Sequence, residues 1–219
     1  SIASDDAVGF ICDTARTVDN LHLVAVGPLT NIALALRADP DLPSRLGGFT
    51  IMGGGAHVGN VTSVAEFNVW ADPEAAAIVF RDFPMTTMVG LDVTHRVLMR
   101  PTDRDRLRAA GGPAAGLAAA LLDFAVTRAD EIAGRDGAPI HDASAVMAVV
   151  RPELFRGDVR PVDVELTGTL TRGMTVVDER PAGRAGEEAV PANALVLFDA
   201  DEEAVVNSIV EAVIALDSV

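Results

Sequence analysis

The chain has 219 residues, of which 49% are hydrophobic and 22% charged, enough to bury one sizeable core in a single domain and unlike a disordered chain. Its formal net charge is -15 and it contains no lysine, which argues against nucleic acid as a partner and favours solubility or a bound cation. A single cysteine, Cys12, excludes an internal disulfide framework and a cysteine-based zinc cluster, and no apolar run reaches the ~20 residues of a membrane span.

Asp5 and Asp6 precede apolar residues at Val8, Ile11, Ala15 and Val18, a spacing of three and four that predicts an amphipathic helix with acidic residues suited to its amino end. Cys12 falls inside that pattern and reads as a small buried hydrophobe. The run 21–26 (LHLVAV) predicts a strand stopped by Gly27-Pro28; Thr30 is placed to cap a helix over 31–37, and Asp39-Pro40 ends it. A second apolar strand, 49–52, runs into three glycines and a loop that presents Asn60, Glu66 and Asn68. Asp72-Pro73 then opens a helix to about Arg81. The run 85–93 reads as a strand. Nearly all-apolar strands alternating with helices predict an α/β fold, a largely parallel sheet with helices on both faces.

Further on, Pro101 and Thr102 open a charged helix to Ala110, and Gly111-Gly112-Pro113 separates it from another whose Leu117, Leu121 and Phe124 share a face. His141-Asp142 introduces a short helix over 143–150. Strands are expected at 162–166, 174–177 and 194–198, a mobile Gly- and Pro-rich loop at 180–191, and a closing helix at 201–216.

Four points bring polar groups to one predicted rim of the sheet: Thr30, the Asn60–Asn68 loop, Asp92 and His141-Asp142. Each has a plain structural alternative. Thr30 and Asp142 can be helix caps or can offer oxygens to a hard cation. His141 can be an ordinary loop histidine or a proton donor beside a carboxylate. Glu66 and Asn68 flank Phe67, so in extended backbone they point the same way, a pattern suited to the vicinal hydroxyls of a sugar. Gly53, Gly55 and Gly59 do not match G-x-G-x-x-G, and His22, His57 and His95 form no H-E-x-x-H pair, so dinucleotide and zinc readings fail.

The segments VAVGPLTNIALAL (24–36), IMGGGAHVGNVTSVAEFNVWADPEAA (51–76), GLDVTH (90–95), GAPIHDASAV (137–146) and LTRGMTVVDER (170–180) resemble the inosine-uridine preferring nucleoside hydrolase family over essentially the whole chain. The resemblance implies a largely parallel α/β sheet, calcium (Ca2+) as cofactor, and hydrolysis of the N-glycosidic bond of ribonucleosides to ribose and free base. By the same resemblance Thr30 (backbone carbonyl) and Asp142 (carboxylate) bind calcium, Asn60, Glu66 and Asn68 hold the ribose hydroxyls, Met52 lines that pocket, and His141 protonates the departing base. A small-molecule ribonucleoside partner, a homo-oligomer, a role in nucleobase salvage and a cytoplasmic location are expected. The family's opening strand with its D-x-D-x-G-x-D-D cluster finds no counterpart here. The chain is therefore expected to be the carboxyl-terminal portion of such an enzyme, weak or inactive alone; the alternatives are a nucleoside- or ribose-binding module and one chain of a split hydrolase. The absence of tyrosine leaves base preference open.

Overall fold

A computed structural model describes residues 5–134, 136–180 and 190–218; most of the loop expected at 180–191 lies outside them. In chain order the elements are helix α1 (Ala7–Thr17), strand β1 (Leu21–Ala25), α2 (Thr30–Ala38), α3 (Leu42–Arg45), β2 (Leu46–Met52), α4 (Phe67–Ala71), α5 (Pro73–Asp82), β3 (Thr86–Val89) and α6 (Leu91–Thr94). There follow β4 (Leu98–Met99), α7 (Pro101–Ala110), α8 (Pro113–Ala133), β5 (Ala138–Pro139), α9 (Asp142–Val150) and a 3-10 turn (Pro152–Leu154). The chain continues through β6 (Phe155–Arg160), β7 (Val162–Val164), β8 (Thr175–Val177), β9 (Ala194–Ala200) and α10 (Glu202–Leu216). They gather into two units, Ser1–Asp92 with Gly157–Phe198 and Val93–Arg156 with Asp199–Val219.

The first unit is built on the main sheet, ordered β1-β2-β3-β9-β6. The pairs β1/β2, β2/β3 and β3/β9 are parallel, as all-apolar strands predict. From Phe49 to Met52 every residue of β2 is buried, so this strand is covered on both faces. Its one polar member, Thr50, bonds the ring Nε2 of His22 at 2.9 Å. Against the sheet lie Cys12 and Ala15 of α1, Ile32, Ala35 and Leu36 of α2, and Ala76, Val79 and Phe80 of α5. Phe80 is 1% exposed, and its removal costs roughly 3–5 kcal/mol by the usual cavity penalty. Asp6 caps α1 by accepting from the Gly9 N–H at 2.8 Å, and Asp72 caps α5 through the Ala75 N–H at 3.0 Å.

Two boundaries differ from expectation in ways that concern the polar rim. Thr30 is not the cap of α2: Leu29 holds that position and Thr30 is the first helical residue. The strand expected over 85–93 ends at Val89, because the chain turns at Gly90 and the Leu91 N–H bonds the Gly54 carbonyl at 2.9 Å. Leu91–Thr94 becomes a short helix.

In the second unit α10 packs on α7, α8 and α9, burying Val205, Val206, Ile209 and Val210. Leu117, Leu121 and Phe124 share a face of α8, but that face is 63%, 63% and 70% exposed, while Ala115, Ala119 and Leu122 are buried. Both sets have the spacing i, i+4, i+7, and the smaller one faces the core. Close packing of helices explains the choice of alanine there. Among the described residues no helix is long and apolar enough to cross a membrane.

Candidate active site

Because β1, β2 and β3 run parallel, the turns after them, Gly27–Thr30, Gly53–Asn68 and Gly90–Asp92, leave one edge of the sheet, the place where open α/β sheets bind ligands. The glycine turn is held from three sides. Gly54, at φ +73°, has no room for a side chain, since a Cβ would lie 2.8 Å from Thr175 Cγ2. Its N–H donates to Glu66 Oε2 at 2.9 Å. The Gly55 N–H donates to Thr175 Oγ1 at 2.9 Å, and that hydroxyl donates back to the Gly55 carbonyl at 2.7 Å.

Glu66 is 3% exposed and caps α4: its carboxylate accepts from the N–H groups of Asn68 and Val69 as well as Gly54. The extended stretch expected around Phe67 is thus a helix start, and Asn68 sits in its first turn. Burial raises the Glu66 carboxyl above its ordinary range, against the lowering pull of those backbone donors. Oε2 takes most of the donors and Oε1 only the Asn68 N–H at 3.0 Å, which leaves Oε1 capacity for a ligand hydroxyl. Asn68 Nδ2 donates to the Met52 carbonyl at 3.0 Å and lies 3.5 Å from its sulfur. Asn60 Oδ1 accepts from the Phe67 N–H at 3.0 Å. The structure therefore brings Met52, Glu66 and Asn68 together in the buried floor of the turn, with exposed Asn60 tied to it through Phe67.

Thr30 is exposed at the first turn of α2, its hydroxyl donating to Asp72 Oδ2 at 2.6 Å. In the second unit His141 stands at the cap position of α9 and Asp142 is its first residue, with no capping bond from the His141 side chain. The cap role open to Asp142 is thus not its own. The His141 ring Nδ1 bonds Thr94 Oγ1 at 2.8 Å, and the ring lies edge-on to His95 at 5.8 Å. Desolvation lifts the Asp142 carboxyl above the usual carboxylate range. As donors, a carbonyl and a carboxylate suit a hard cation, but calcium takes six to eight oxygens. Among the described residues no three His, Cys, Asp or Glu side chains gather to hold a metal.

Sequence reasoning set His57 aside and marked Asp92 only by its place on the rim. The structure joins them: His57 Nδ1 is 2.8 Å from Asp92 Oδ1 and Nε2 is 2.7 Å from Glu179 Oε1. Asp92 also accepts from the backbone N–H groups of Ala56 at 2.7 Å and His57 at 3.1 Å. Partners 35 and 122 residues apart leave no local signal; the one clue was an aspartate just beyond a strand's carboxyl end.

Known proteins resemble the chain in sequence and in fold. The family profile described as inosine-uridine preferring nucleoside hydrolase matches residues 1–207. A pyrimidine-specific ribonucleoside hydrolase, RihA, of Escherichia coli O9:H4 (strain HS) is 44% identical over 78% of this chain and 56% of its own length. The protein of that name from Escherichia fergusonii is 41% identical over 94% of this chain and 65% of its own. The chain thus spans less than two thirds of these relatives. Among solved structures, a purine-preferring ribonucleoside hydrolase from Gardnerella vaginalis superposes with a TM-score of 0.87 at 30% identity, covering 99% of this chain and 67% of the other. A plant nucleoside hydrolase gives 0.85 at 28% identity, over 95% and 67%.

Proposed function

The chain belongs to the inosine-uridine preferring nucleoside hydrolase family, and we propose that it acts in the hydrolysis of ribonucleosides, ribonucleoside plus water giving ribose and free base, with pyrimidine ribonucleosides as the substrate class. The observation that carries this reading is the buried, backbone-supported Glu66 beside Asn68 and Met52 on the glycine turn. A carboxylate acceptor and two amides whose other hydrogen bonds are already fixed suit the two hydroxyls of a ribose. The pyrimidine preference rests on the names of the relatives above 40% identity.

In this reading Glu66 Oε1 accepts from a ribose hydroxyl, and Asn60 and Asn68 fix the neighbouring oxygens with their remaining amide groups. Met52 closes the apolar side. Holding the sugar in one orientation lowers the entropic part of the barrier to attack at its anomeric carbon. Charge builds on the sugar as the bond to the base breaks, in an oxocarbenium-like state. The base leaves more readily when protonated, a task for His141, whose ring is oriented by Thr94. Calcium belongs to the proposal by family resemblance, with the Thr30 carbonyl and the Asp142 carboxylate as this chain's ligands. A homo-oligomer, a place in nucleobase salvage and a cytoplasmic location complete it.

The deciding experiment incubates the chain with uridine and with inosine and follows release of free base and reducing sugar. Slow release, from uridine in preference to inosine, is expected, because the chain brings the ribose-holding groups but only two of the oxygens that a calcium ion takes. Saturable uridine binding with no release would instead identify a binding module, and neither binding nor release would sink the reading.

A further inference from the structure

His57 occupies a position that the ribose-holding groups do not explain. It sits on the far limb of the glycine turn, 57% exposed at its side chain, between the carboxylates of Asp92 (9%) and Glu179 (44%). The Phe198 ring is tilted beside it at 5.9 Å. Among the described residues neither carboxylate pairs with an arginine, so His57 is the cation these two anions share in a chain of net charge -15. A neutral imidazole has one N–H and can donate to one of them; only the imidazolium donates to both. Distances of 2.8 and 2.7 Å on its two nitrogens are those of charge-assisted bonds.

We propose that His57 is a positioning residue of the ribose pocket: as imidazolium it ties the glycine turn to Asp92 on one side and Glu179 on the other, in the geometry from which Gly54 supports Glu66. The pocket's identity rests on the function proposed above; the link itself does not. Asp92 fixes the turn at Ala56 N–H, His57 N–H and the ring, and two residues earlier the same turn delivers the Gly54 N–H to Glu66. When the ring loses its proton, the more exposed Glu179 is the partner that water replaces most easily. The turn then keeps Asp92 and loses its second anchor. Both carboxylates favour the protonated ring, Asp92 foremost, and hold its pKa above the ordinary histidine value. The link therefore persists to higher pH than a free histidine keeps its proton.

The test reads backbone amide exchange of Gly54, Ala56 and His57 in the full chain across the titration of His57, itself followed by ring NMR shifts and corrected for intrinsic exchange. Exchange should become on the order of tenfold faster as His57 deprotonates. That step should vanish in Glu179→Gln and His57→Gln, neither of which removes a core side chain. In parallel, the Kd for uridine should weaken over the same pH range in the wild type and not in Glu179→Gln. A pH-independent protection pattern, or an unchanged step in Glu179→Gln, overturns the link. An exchange step that follows His57 while uridine binds equally tightly on both sides of it overturns the positioning role. If the step is present but uridine is never bound, the link stands and the nucleoside reading is what fails.

Discussion

Glu66 is pulled in two directions. Its burial favours the neutral acid and its backbone donors favour the carboxylate, and burial prevails. Because its folded pKa is raised, its contribution to stability is fully present below the ordinary glutamate value and is lost as pH rises through the folded one. Ionising this buried carboxyl thus costs stability, and groups perturbed in this way cluster at functional sites. Glu66→Gln should remove that pH dependence from urea unfolding between acid and neutral pH. It should also lose about 1 kcal/mol of capping on α4 and weaken ribonucleoside binding. Tight uridine binding by the variant would refute the acceptor role. His141 has a different signature. If it protonates the leaving base, His141→Ala should lose far more activity on uridine than on a riboside whose activated aryl group leaves without a proton. Equal losses on both would remove it from that role.

At the scale of elements, what the sequence disclosed followed from how much of each signal is local. β2 and α5 could be read directly, since a run buried on both faces is continuously apolar and Asp72-Pro73 supplies both a cap and a first-turn proline. α4 could not: five residues carry no periodicity, and the cap that makes them helical is Glu66, a residue whose type suggested a ligand contact instead. β6 was hidden because, of its residues 155–160, only Phe155 is buried. α8 carries two stripes of equal spacing, and size alone did not reveal that the alanine stripe faces inward. Met52, Glu66 and Asn68 could be grouped through strand-to-loop order and resemblance, whereas the His57 link spans too much chain to leave a trace. Long-range capping is the same kind of feature. Asp217, just past α10, accepts from the Ala114 and Ala115 N–H groups at 2.8 and 2.9 Å, so the end of one helix caps the start of α8. Asp217→Ala should cost about 1 kcal/mol, read as a lower urea midpoint with an unchanged slope. Amide exchange should speed at the first turn of α8. An unaltered midpoint would show that the cap is solvated in solution.

For the whole molecule, charge sets the conditions under which these parts hold together. At -15 without a lysine, the cationic side chains are arginines and histidines, and among the described residues most of the arginines pair with carboxylates. Asp39, 6% exposed, receives Arg45 at 2.6 Å and Arg16 at 2.8 Å, and the Arg45 bond above all keeps its carboxyl below the usual range. Arg180 holds Asp178 down to about 2. Groups with depressed pKa values stabilise above the ordinary aspartate value, and that contribution fades as pH falls through the folded one. His57 acts with the opposite sign: its raised pKa gives stability that is complete below ~6.5 and is lost as pH rises through the folded value. Stability should therefore decline on both sides of a mildly acidic maximum. Asp39→Asn should flatten the acid limb alone, and His57→Gln the alkaline limb alone. Salt separates these local effects from the general repulsion of an acidic surface, because at about 0.15 M ionic strength exposed charges more than ~8 Å apart are screened, while pairs in contact are less affected. The alkaline decline attributed to His57 should thus survive added salt in the wild type and stay absent in His57→Gln. A decline that salt abolishes equally in both proteins would assign it to net charge, and the link between the glycine turn and Glu179 would then contribute nothing to stability.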